Sequence, residues 1–125
     1  MKLSLSDGEW KLMNLLWDES PLTIGDMVDA LREDTAWTKA TVNIMLNRLA
    51  DKGAVRIDTA GPRKRFSPLL TRDEAVRREA RNTLSRIRTG GLGLLVSTMA
   101  RESALSDAEI DELYRILKEG RRGHD

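Results

Sequence analysis

Apolar positions along the chain follow two rhythms. They recur every three or four residues from Trp10 to Leu49 and again beyond Thr71, whereas Val55 and Ile57 alternate with Arg56 and Asp58. The first rhythm predicts helices and the second a half-buried strand. Ser6 opens the first helix, with Glu9 three residues on to complete a capping box. Trp10, Met13, Leu16 and Trp17 form its stripe, flanked by Leu12 and Leu15, and Pro21 ends it. Thr23 opens a short second helix, with Asp26 at its third position and Ile24, Met27, Val28 and Leu31 on its buried side. Thr38 caps a third helix running to about Asp51, whose inward stripe is Val42, Met45, Leu46 and Leu49; Gly53 terminates it. After the strand, "TAGP" makes a turn and "RKRFSP" returns with Phe66 facing inward. Three helices and a hairpin with almost no linkers predict a winged helix-turn-helix over residues 1–70.

Beyond Thr71 the stripe narrows. Thr71 and Glu74 have the spacing of another capping box, and Ala75, Val76, Ala80, Leu84 and Ile87 line a long helix. "TGGLG" interrupts it, "LLVSTMA" resumes a helical pattern, and a last helix begins at Ser106, with Glu109 in capping position and Ile110, Leu113, Ile116 and Leu117 on one side. A domain of about 60 residues hides only about 60% of its chain surface, and this segment is thinner than most. Residues 71–125 therefore read as a helical dimerisation domain, with Val76, Ala80, Leu84, Ile87, Leu94, Leu95, Ile110 and Leu113 buried between two chains.

Charge adds a direction. The formal net charge is only +1, yet residues 1–37 sum to −5, 38–68 to +5, 69–101 to +4 and 102–125 to −3. Positive charge concentrated in the middle of the chain is the footprint of a polyanion-binding surface, although a solvated basic patch has the same sums. The third helix sharpens the choice. Opposite its apolar stripe lie Ala40, Thr41, Asn43, Ile44, Asn47, Arg48 and Asp51, where a merely solvated face would carry lysine and glutamate. Asparagine can pair bidentately with adenine, an apolar side chain can rest on a thymine methyl, and small residues allow close approach to a major groove. Lys39, Arg48 and the hairpin cations Arg63, Lys64 and Arg65 are placed to hold phosphates on either side.

Composition removes other classes. Apolar residues make up 40% and charged residues 33%, with five aromatics and no cysteine. That excludes disulfides, thiolate metal sites and cysteine nucleophiles. His124, the sole histidine, lies in the last two residues, where a solvated side chain is expected, and no Ser-His-Asp triad can be assembled around it. No cofactor, metal site or enzymatic activity is expected. The longest apolar run, "LGLLV" at 92–96, is far too short to span a bilayer, and the N-terminal stretch lacks the apolar core of a signal peptide. A cytoplasmic protein without direct membrane association is expected.

The stretches "LSDGEWKLMNLLWDESPLTIGDMVDAL" and "WTKATVNIMLNRLADKGAV" resemble the penicillinase repressor family, the BlaI/MecI/CopY group of bacterial transcription repressors. The resemblance runs from Leu5 to Leu117. It is carried most specifically by Glu9-Trp10, Leu16-Trp17, Trp37, Thr41-Val42, Leu46, Arg48-Leu49 and Lys52-Gly53, with "LSDAEIDELYRIL" near the end. It implies a homodimer on a dyad-symmetric double-stranded operator that blocks transcription. In better-known members the operator controls β-lactam resistance, and a membrane sensor protease cuts the repressor's dimerisation region. Operator contacts carry over to Ala40, Thr41, Asn43, Ile44 and Arg48, with basic residues in the wing. Ala40 stands where relatives commonly have lysine and Ile44 where they have threonine, so a different base sequence is expected. The cut bond falls at Thr98-Met99, where Asn-Phe is usual. The copper-responsive branch holds Cu(I) with a cysteine cluster that this sequence lacks.

The expectation is thus a mainly α protein with a small β-hairpin, acting as a dimeric repressor. Rival readings are a protein-interaction adaptor on the same scaffold, an architectural DNA-binder without sequence preference, and a repressor released by a small effector instead of a protease.

Overall fold

The computed structural model describes residues 4–87, 91–102 and 105–123. Its first three helices, α1 (Asp7–Asp18), α2 (Ile24–Ala30) and α3 (Lys39–Asp51), begin by one device. The opening N–H groups of a helix have no intrahelical acceptor, so a preceding hydroxyl supplies one. Ser6 accepts from the Glu9 N–H at 3.2 Å, Thr23 from Asp26 at 3.1 Å and Thr38 from Thr41 at 3.2 Å. Glu9 and Asp26 return a carboxylate to the capping residue's own N–H, at 2.9 and 3.0 Å. Gly53 follows α3 at φ +79°, a left-handed turn that glycine adopts without strain.

Strands β1 (Val55–Asp58) and β2 (Arg65–Pro68) pair antiparallel, from Val55 opposite Pro68 to Asp58 opposite Arg65. The return strand is shorter than "RKRFSP" suggests. Arg63 and Lys64 lie in the exposed loop 59–64, and only Arg65 enters the strand. A further pairing joins the hairpin to the start of α2. Leu22 donates to the Phe66 carbonyl at 3.1 Å and accepts from the Phe66 N–H at 2.8 Å, so the wing is anchored on both edges of β2.

The core lies within this unit. Leu12, Met13 and Leu16 of α1 meet Met27 of α2, Val42, Leu46 and Leu49 of α3, and Ala54, Val55, Phe66 and Leu70. Leu12 is central rather than flanking, whereas Trp10 and Trp17 are only half-buried at the margin and stack edge to face, with ring centroids 5.8 Å apart. Met45 likewise packs against the core without being enclosed.

Helix α4 (Arg72–Arg86) begins against this core. Ala75 is buried, Trp17 Nε1 donates to the Leu70 carbonyl at 2.9 Å, and the Arg72 guanidinium lies 5.6 Å from the Trp17 ring centroid while pairing with Asp18. The compact N-terminal unit accordingly extends past residue 70 to Asn82. Thr71 caps the Glu74 N–H at 3.2 Å, but Glu74 Oε1 accepts from Arg78 Nε at 3.0 Å instead of from the capping residue.

The second unit, 83–125, holds the end of α4 with α5 (Gly91–Arg101) and α6 (Asp107–Gly123). The expected interruption at "TGGLG" is narrower than the motif. Gly91 and Gly93 are helical, while Thr89 and Gly90 lie outside the described residues. Ser106 and Glu109 form the expected cap on α6. Among the described residues of 83–120 no side chain is buried. Leu94 and Leu117 are each 68% exposed, and Leu92, Leu95, Val96, Met99, Ile110 and Ile116 are exposed with them.

Candidate nucleic-acid interface

The core-facing side of α3 is filled by Val42, Leu46 and Leu49, each fully buried. At 100° per residue the opposite side then presents Ala40, Ile44, Asn47, Arg48 and Asp51 to solvent, with Thr41 and Asn43 half-buried at its edges. Thr41 is partly committed to the cap, its hydroxyl 3.2 Å from that of Thr38.

The first turn of α3, the start of α2 and the wing loop surround a cleft of about 520 Å³, lined by Thr23, Ile24, Gly25, Lys39, Ala40, Asn43, Arg63 and Lys64. Five residues expected from the sequence to meet nucleic acid thus share one surface: Lys39, Ala40, Asn43, Arg63 and Lys64. Ile44, Asn47 and Arg48 continue the exposed face along α3, and Arg65 stands exposed at the start of β2.

The cations of this surface make no close ion pairs among the described residues. Elsewhere Lys11 pairs with Asp34, Arg32 with Asp29, Lys52 with Glu9, Arg72 with Asp18 and Arg78 with Glu74. Among the described residues, Lys39, Arg48, Arg63, Lys64 and Arg65 form no such ion pair. Cations outside close ion pairs are available to phosphates, and their pairing with a polyanion releases counterions.

Sequence reasoning missed the influence of the wing arginines on Asp26 of α2. Hydrogen bonds from the Thr23 backbone and hydroxyl hold the Asp26 carboxyl below its ordinary value despite slight desolvation, and the charges of Arg63 and Arg65 lower it further. The Thr23–Asp26 spacing signals the cap, but nothing local signals that the wing arginines approach it. The Asp26 carboxylate of α2 therefore offsets part of the positive field of Arg63 and Arg65.

The residues expected at a dimer interface are solvent-facing in the single chain. Val76, Ala80, Leu84, Leu94, Leu95 and Ile110 are exposed, and Ile87 and Leu113 half-buried. Thr98 and Met99 lie inside α5; the Thr98 hydroxyl donates to the Leu94 carbonyl at 2.7 Å, and Met99 is 39% exposed. Val96, Met99, Leu105, Leu113 and Ile116, with Glu109 and Glu112, line an apolar cleft of about 290 Å³ within this unit. Among the described residues no cluster of histidine, cysteine, aspartate or glutamate could hold a metal ion, and no helix is long and apolar enough to cross a membrane. His124 lies outside the described residues.

Three capped helices, a two-stranded wing and an open, cation-flanked helix face define a winged helix-turn-helix of the DNA-binding class. A family model described as penicillinase repressor matches residues 5–119. The chain belongs to the penicillinase repressor family. It is 29% identical over 115 residues to the penicillinase repressor of Bacillus licheniformis, covering 92% of this chain and 90% of that one. It is 23% identical over 113 residues to the methicillin resistance regulatory protein MecI of Staphylococcus aureus strain N315, covering 90% and 92%. The fold matches the solution structure of the monomeric Bacillus licheniformis BlaI in complex with the blaP half-operator, with TM-score 0.51 and 24% identity over 59% of this chain and 90% of that one.

Proposed function

We propose that this chain is a dimeric, sequence-specific transcriptional repressor that lays α3 in the major groove of a dyad-symmetric operator. The observation that carries this reading is the convergence of Lys39, Ala40 and Asn43 with the wing cations Arg63 and Lys64 on one cleft, continued by Ile44, Asn47 and Arg48. Groove-facing side chains of α3 read bases while the flanking cations grip phosphates. Residues 1–70 supply the DNA contacts and 71–125 the dimerisation helices, whose exposed leucines and isoleucines support a second copy as the covering surface. Two half-sites then bind with an effective concentration that neither half-site has alone. Relatives named for penicillinase and methicillin resistance support genes of β-lactam resistance, or related genes, as the regulated set.

Release follows if α5 is cut near Thr98-Met99 by a membrane sensor protease, because the cut severs α6 from the rest of the dimer surface. The apolar cleft flanked by Glu109 and Glu112 supports a second route, a small effector that displaces the same packing.

Binding is tested by fluorescence anisotropy of the full chain on duplexes with and without an inverted repeat from the gene's own upstream region. Tight binding to the repeat, with a log–log salt dependence, is expected. In the same assay Asn43→Ala and Asn47→Ala should each cost about 1–3 kcal/mol at one base position if the asparagine reads it. Equal affinity for scrambled duplexes favours an architectural binder, and no duplex binding favours the adaptor.

A further inference from the structure

Ile44 has no structural reason to be where it is. Val42, Leu46 and Leu49 fill the core side of α3, and Met45 and Ala50 pack against that core, yet Ile44 is 54% exposed on the opposite side. A β-branched residue is also a poorer helix former than the alanine, lysine or glutamate that a solvated position ordinarily carries. One turn earlier stands exposed Ala40, which leaves room for a close approach, and one turn later Asn47 and Arg48. The apolar side chain is therefore ringed by a small residue, an amide and a guanidinium, on the helix face proposed above to enter DNA. The major groove offers such a side chain one apolar feature among its base edges, the C5-methyl of thymine.

We infer that Ile44 is a specificity-determining residue that seats on a thymine methyl in each half-site, so that preference at that base pair comes from apolar contact rather than from a hydrogen bond. The inference rests on the operator reading. A methyl group withdrawn from water contributes about a fourfold gain in binding, and Ile44 presents its own γ and δ carbons to that contact.

The test begins by selecting tight-binding duplexes from a randomised pool with the full chain. Each thymine of the selected half-site is then replaced by deoxyuridine, which removes the methyl and keeps the hydrogen-bonding edge. One position per half-site should weaken binding about three- to tenfold. Ile44→Ala, exposed and so expected to keep the parent's thermal midpoint, should weaken binding to the thymine duplex by a similar factor. It should also no longer distinguish thymine from uracil there, so the two losses do not add. A flat uracil profile for the unsubstituted chain, or additive losses in Ile44→Ala, overturns the role of Ile44 while leaving the operator reading intact. Failure to enrich any duplex overturns the operator reading itself, and this inference with it.

Discussion

Lys52, the residue that ends α3, donates its ammonium to Glu9 Oε1 at 2.6 Å across 43 residues of chain. The same carboxylate oxygen accepts the Ser6 N–H that closes the cap of α1, and Lys52 also donates to the Ser4 carbonyl at 2.7 Å. The C-terminal end of α3 is thereby tied to the first turn of α1. Burial pushes the Glu9 carboxyl up, but the Lys52 hydrogen bond, the Ser6 N–H and the Lys52 charge together hold it below its ordinary value of 4.5.

Glu9→Gln should lower the unfolding free energy at pH 7 by about 1–3 kcal/mol, toward the small end because Lys52 is a third exposed. A carboxyl with a lowered folded pKa stabilises above its unfolded value and loses that contribution as pH falls through the folded one. Urea titrations should therefore show the gap between parent and variant at pH 7 and a narrower gap at pH 3. An unchanged gap at pH 3 would mean that the difference is packing, not charge.

Among the described residues Arg63, Lys64 and Arg65 make no close ion pair, and the Asp26 charge that faces Arg63 and Arg65 is itself exposed, so neutralising them should act on DNA rather than on the fold. Each substitution to alanine that removes a phosphate contact should flatten the slope of log affinity against log salt by about 0.9. Thermal midpoints should stay within a few degrees of the parent. A variant that loses affinity with an unchanged slope would show that its side chain reads something other than phosphate.

Assembly is checked by length. A chain ending at Asn82 retains Ala75, Arg72 and the Trp17–Leu70 hydrogen bond. It should fold, sediment as a monomer at micromolar concentration and bind a full operator at least tenfold more weakly than the full chain, if that chain dimerises as proposed. Equal affinity of the two chains for the full operator would rule out dimerisation as the source of avidity.

Release is checked by mass. The Thr98–Met99 bond lies in helical backbone, with the Glu102 N–H donating to the Thr98 carbonyl at 3.0 Å, so cleavage requires α5 to open first. Gly93→Ala, which has open space around the added methyl, should raise helix stability by up to about 1 kcal/mol and slow cutting severalfold. In induced cells, intact-mass analysis should find the chain divided inside α5; derepression with the chain whole would favour the effector route.

Much of the fold was legible because its signals are local. Ser6–Glu9, Thr23–Asp26 and Thr38 gave the helix starts, Gly53 gave an end, and the 3.6 period of α3 separated Val42, Leu46 and Leu49 from the face that carries Ile44 and Asn47. The missed features depend on residues distant in sequence. Glu9 reads as a cap and nothing more until Lys52 reaches it. Leu22, between Pro21 and the capping Thr23, carries no local sign of its pairing with Phe66. Leu12 reads as a flanking residue because the large tryptophans draw the stripe toward themselves, although a bulky indole with a polar N–H suits the core margin better than its centre. In α5 and α6 the periodicity gives helices but cannot name what covers them.

The wing combines a fixed base with a free tip. Leu22 and β1 hold Phe66 from both sides, whereas loop 59–64 is exposed throughout and carries Arg63 and Lys64 away from the core. If the wing meets DNA as proposed, substitutions in that loop alter the charge offered to it at almost no cost to folding. Evolution can therefore adjust how tightly such a protein holds its promoter, gene by gene, by rewriting a few codons at the wing tip, while the sequence that builds the domain stays under separate selection.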